Sequence, residues 1–91
     1  MNLEEFLSSP IEPEGCTPYL LALWHEKHGN WARGHEIVQD LNDATAALIH
    51  AYLHRREGDQ SNAAYWYRQA GRPVPGISLD DEWMQIVKEC I

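Results

Sequence analysis

The chain has 91 residues, a formal net charge of −7 and 44% hydrophobic residues, four tryptophans among them. That length supports one small domain with a single core, and a charged fraction of 23% is too low for a disordered chain. An acidic surface repels the phosphate backbone, which excludes a general nucleic-acid binder. No apolar run approaches the ~20 residues of a membrane-spanning helix. The opening Met1-Asn2-Leu3-Glu4-Glu5 is acidic, unlike the basic-then-apolar start of a signal peptide. A cytoplasmic location is expected, with no nucleic acid and no membrane as partner.

In chain order, Asn2 caps a short helix over 3–8 with Leu3, Phe6 and Leu7 on one face. Pro10, Pro13 and Gly15 keep 9–16 irregular. Thr17-Pro18 is a cap with proline at the first helical position, so a second helix starts there and runs to about His28. Gly29 stops it and Asn30 caps a third over about 31–41, where Trp31, Gly34, Ile37, Val38 and Leu41 recur at spacings of three and four. So short a gap folds the two helices back as an antiparallel hairpin. Gly34 in mid-helix predicts close approach of a neighbouring helix.

Asn42-Asp43 caps a fourth helix over 44–57 that is apolar almost all the way round, the mark of a central helix. Gly58 ends it, Asp59 caps a fifth over 60–70, and Gly71 ends that one. Two prolines keep Arg72 to Gly76 extended. Ser78 or Asp80 then caps a last helix to about Cys90, with Trp83, Ile86, Val87 and Ile91 as its buried stripe. Cys16 and Cys90 are far apart in sequence, and as cytoplasmic thiols they are expected to be reduced.

An offset of 29 residues pairs Ala22 with Ala51, His25 with His54 and Gly29 with Gly58, while Trp24 meets Leu53 and Asn30 meets Asp59. The agreement of this offset with the turns and caps points to two stacked helical hairpins. Ala63-x-x-Trp66-Tyr67-x-x-Ala70, after Gly58-Asp59, resembles the second helix of a tetratricopeptide-type repeat, especially its Sel-one-like branch. The resemblance covers 46–71 well and 18–42 faintly, with Gly34 in the place of Ala63. The stretch is also similar to small bacterial proteins of unassigned function. The repeat resemblance implies an α-helical scaffold that binds a protein or peptide partner. Two hairpins are fewer than the three or more usually needed, so the terminal helices would act as caps. The expected architecture is therefore all-α, about six helices in one domain over 1–91. It divides into an N-terminal helix and loop (1–16), hairpin one (17–42), hairpin two (43–71), and an extended loop with the last helix (72–91).

Five histidines are the main chemical oddity. His50 and His54 are four apart and share a helix face, with Glu57 one further turn along. The repeat puts His25 and His54 in equivalent places on neighbouring helices. A His-x-x-x-His pair plus one more histidine or carboxylate suits zinc or a similar ion with an open position for water. The ligands on this reading are His25, His50 and His54, with Glu57 or His35 completing the shell. Hydrogen-bonded structural histidines explain the same residues. No sharp-turn nucleophile motif and no glycine-rich phosphate loop is present, so no catalytic residue is assigned and an enzyme is disfavoured.

Tyr65, Trp66 and Tyr67 are consecutive, about 100° apart on a helix, so they cannot all face one core. Tyr65 or Trp66 is expected to be covered by the 72–76 segment or the last helix. If either is exposed beside Arg55 and Arg68, those four side chains have the composition of an interface anchor. The primary functional expectation is thus a small protein-interaction module with a protein or peptide partner, a second copy of itself included. The alternative is a zinc-type metal protein built on the histidines.

Overall fold

The structure, a computed structural model, describes all residues from Met1 to Ile91. It is all-helical: α1 (Leu3–Ser8), α2 (Pro18–Lys27), α3 (Trp31–Gln39), α4 (Ala44–Arg56), α5 (Gln60–Ala70) and α6 (Leu79–Cys90). None of them is long and apolar enough to cross a membrane. Each helix starts where a short polar side chain accepts from a backbone N–H of its first turn. These caps are Asn2, Thr17, Asn30, Asp43, Asp59 and Ser78.

Helices α2 and α3 pack together, as do α4 and α5, and α4 also contacts α2, α3 and α6. Every residue from Ala46 to His54 is buried as a result. The 29-residue offset is visible in the turns. Gly29 and Gly58 both hold a left-handed φ, 86° and 87°. Asn30 N donates to His25 O at 2.8 Å, and Asp59 N to His54 O at 2.9 Å. Only glycine takes that φ without strain, so the same residue recurs at both turns.

Gly34 is buried because α2 lies against it. A Cβ built there would stand 2.8 Å from the backbone oxygen of Ala22, which cannot swing aside as a side chain would. At the same offset Ala63, 2% exposed, has room for its methyl.

The core joins these hairpins to the terminal helices. Phe6 of α1 lies 6.0 Å from the ring of Trp83 on α6, and Trp83 Nε1 donates to Leu23 O at 3.0 Å. Two expected core residues are outside it. Leu7 is 45% exposed, about 100° round α1 from Phe6, and Ile91 is 47% exposed beyond the last helical residue.

Two buried glutamates cross-link the helices. Glu26 Oε1 accepts from Tyr52 Oη at 3.1 Å and pairs with Arg56 Nε at 2.9 Å. Glu82 accepts from Arg55 at 2.7 Å and from Tyr67 Oη at 2.6 Å. Burial, with the adjacent carboxylate, holds both phenols well above the usual tyrosine range. Cationic and phenolic donors replace the water at both oxygens of Glu82 and at Glu26 Oε1, while Glu26 Oε2 is buried without a hydrogen-bond partner.

Gly34→Ala tests the close approach through the sign of its effect. At an exposed helical site alanine stabilises by up to about 1 kcal/mol. At position 34 it should destabilise by about 1–3 kcal/mol as α2 is pushed off α3, measured by urea unfolding.

Candidate metal centre

The fourth helix is short of polar residues, and its two imidazoles cannot avoid the interior. His50 and His54, one turn apart, are 6% and 7% exposed. From α3, packed across α4, His35 reaches the same place. Its ring centroid lies 4.6 Å from His50 and 5.3 Å from His54, and the His50 and His54 rings are 4.9 Å apart. His50 Nε2 and His35 Nε2 are 2.9 Å apart, so one of them carries the shared proton. One ligand nitrogen from each ring lies within 4.8 Å of the other two.

Two indoles flank the three rings. Trp31 stacks on His35 at 5.0 Å and 13° and meets His54 edge-on at 5.8 Å. Its Nε1 donates to Leu53 O at 2.7 Å, which fixes the ring. Trp66 of α5 stacks on His50 at 4.0 Å and 14°. On the remaining side of His54, Nδ1 faces Glu57 Oε1 at 2.6 Å. With the ring proton on Nδ1, donated to that carboxylate, the lone pair of Nε2 is left for the other rings.

Burial pushes the His50 pKa down to about 4, with repulsion from His35 and His54 adding to it. His35 is lowered for the same reasons, burial first and then His54. At neutral pH these two rings are uncharged, the protonation state a metal ligand requires.

Of the residues expected from sequence, His50, His54 and Glu57 are together here, with His35 as the third ring. His25 is not among them. Its Nε2 faces Glu12 Oε1 of the N-terminal loop at 3.0 Å, and its ring is edge-on to Trp24. His25 and His54 hold matching places before their turns, yet α3 supplies the histidine beside α4, and α2 turns its own toward the loop. His28 is also apart, with Nδ1 at Trp24 O. Neither cysteine belongs to the cluster. Trp31 and Trp66 as flanking walls were not expected. The signal was present in the i, i+4 spacing of Trp31 and His35.

The four residues grouped as an interface anchor separate. Arg55 is directed inward, to Glu82 and the carbonyl of Ile77. Trp66 is half-buried on His50, while Tyr65 is 45% exposed and Arg68 is exposed. The 72–76 segment does not cover Tyr65. Arg72 pairs with Glu89 of α6, and Pro73 and Pro75 border Tyr67 instead. Comparison with known proteins gave no matching family model, no matching curated protein and no matching solved structure.

The depressed His50 sets a direction for pH dependence. Unfolded, the ring titrates near 6.5; folded, near 4. Between those values the unfolded chain binds more protons, so stability falls as pH drops through that window and is unaffected above it. Going from pH 7 to pH 5 should cost on the order of 2 kcal/mol, read by urea unfolding at the two pH values. The loss should shrink in His50→Gln.

Proposed function

We propose that this chain is a metal-binding helical domain that holds a zinc-type divalent ion on His35, His50 and His54. The observation that carries the reading is the convergence of the three imidazoles, one nitrogen from each within 4.8 Å of the others, with His50 and His54 buried and His35 half-buried. On a tetrahedral ion with bonds of about 2.0–2.1 Å, two nitrogens stand about 3.3 Å apart. His35 Nε2 and His50 Nε2, at 2.9 Å, stand close to that spacing, and all three ligand nitrogens lie within 4.8 Å of one another. Three imidazoles without thiolate or carboxylate suit zinc, copper or nickel rather than magnesium or calcium. Such a set leaves a fourth position for water or another ligand.

The surroundings support the same reading. Glu57 on Nδ1 of His54 is the carboxylate–histidine arrangement that orients a ligand ring and raises its basicity. Trp31 and Trp66 restrict how far the rings can turn. The protein-interaction reading has less behind it, because Arg55 and Trp66 are engaged within the domain.

Protein prepared without a histidine tag should bind zinc at one equivalent. At zinc a hundred times its Kd, the melting temperature should rise by roughly 10 °C. His35→Ala, His50→Ala and His54→Ala should lose the bound ion and that shift, and His25→Ala should keep both. Calorimetric titration and thermal melts read the two effects. A wild-type chain that takes up no ion contradicts the proposal.

A further inference from the structure

His50 belongs to two places at once. Through Nε2 it meets His35, and it also lines a cleft of about 310 Å³. Asp43, Ala47 and His50 border that cleft at spacings of four and three, so they share one stripe of α4, which His54 continues a turn further along. Residual exposure follows the same stripe. Ala47, His50 and His54 keep 7%, 6% and 7%, whereas Ile49, Ala51, Tyr52 and Leu53 keep none. The floor of the cleft is small and apolar, its rim carries the exposed Asp43 and Gln69, and Trp66, stacked on His50, forms one wall. We infer that this cleft is the ligand site of the metal centre and takes a small monocarboxylate, with its carboxylate in the ion's fourth position and its apolar body against Ala47 and Trp66. This rests on the triad reading above.

The surroundings of the three rings leave this approach open. Trp31 lies on His35 and against the edge of His54, Glu57 occupies Nδ1 of His54, and α4 itself is the floor. The cleft brings free space up to His50, and His35 is only half-buried. A cleft of this volume, apolar below and polar at the rim, is at the small end of the range for organic ligands.

Charge selects the head group and the number of heads. A divalent ion brings two positive charges, and an imidazole ligand is neutral, so the three rings offset neither. Glu57, on Nδ1 of His54, supplies one negative charge from outside the ligand shell. A carboxylate in the fourth position supplies the second. At the other end of the cleft the charge is already negative. Asp43 accepts from Tyr19 Oη at 2.6 Å and from Ala46 N at 2.8 Å, and these bonds hold its carboxyl below the usual carboxylate range. Seven residues of helix, roughly 10 Å, separate Asp43 from His50. A ligand with a second carboxylate at its far end therefore meets a like charge.

Hexanoate and adipate share a six-carbon chain and differ by one terminal carboxylate, so together they test both ends. The readout is the visible absorption of Co²⁺ on untagged protein, which responds to a change of the fourth ligand. In the wild type hexanoate should shift the band saturably, and adipate should bind about fivefold more weakly. Asp43→Asn keeps a capping side chain for α4 and should bring adipate to within about twofold of hexanoate. Ala47→Leu fills the cleft. It should keep Co²⁺ and its response to azide, and lose about tenfold or more in hexanoate affinity. Bound Co²⁺ whose spectrum ignores hexanoate overturns the cleft site and leaves the triad standing. Hexanoate binding untouched by Ala47→Leu, or an adipate deficit untouched by Asp43→Asn, also overturns it. A wild-type chain that binds no Co²⁺ removes the triad itself, and the cleft site with it.

Discussion

Because α4 is enclosed by α2, α3, α5 and α6, no residue from Ala46 to His54 has free access to solvent. Most of that run is apolar and gains from burial. His50 and His54 do not, and a buried polar ring must find a partner or cost free energy. The domain meets the requirement with neighbouring side chains: His35 against His50, the Glu57 carboxylate on His54, and indoles over the faces. The histidine cluster is thus a consequence of how α4 is packed, and packing also keeps it pre-assembled.

The same enclosure depends on the spacing of the neighbours. Gly34 lets α3 lie on α2 with backbone nearly touching a would-be Cβ. The placement of α3 on α2 in turn sets where His35 meets α4. A methyl at position 34 would therefore affect the cluster indirectly. On the other flank, Arg55–Glu82–Tyr67 and Arg56–Glu26–Tyr52 are charged cross-links between helices, deep enough that losing one partner would leave a buried charge uncompensated. Both arginines belong to the frame around α4.

Much of this was legible in the residues. Proline, glycine and capping side chains punctuate the chain, and local backbone preference placed six helices with ends within a residue or two. The apolar surround of α4 marked it as central, and Gly34 signalled a close contact. His50, His54 and Glu57 followed from helical spacing alone. What helical spacing cannot give is which face of a neighbouring helix arrives opposite. His25 was chosen by repeat equivalence and His35 only as a completing ligand, because the rotation of α2 and α3 about their own axes is set by packing. The direction of Arg55 was hidden for the same reason. Its partner Glu82 lies 27 residues further on, and nothing local links them. Tyr65 stayed exposed because the 72–76 segment is tied to α6 through Arg72.

The proposed centre uses three imidazole nitrogens, and no sulfur, to hold an ion inside this domain. X-ray absorption at the zinc edge of the untagged, zinc-loaded chain tests it most directly. The expected result is a shell of nitrogen and oxygen at about 2.0 Å with the multiple-scattering pattern of three imidazoles. Sulfur at about 2.3 Å, which would place Cys16 or Cys90 on the metal, contradicts it, as does an all-oxygen shell without imidazole scattering.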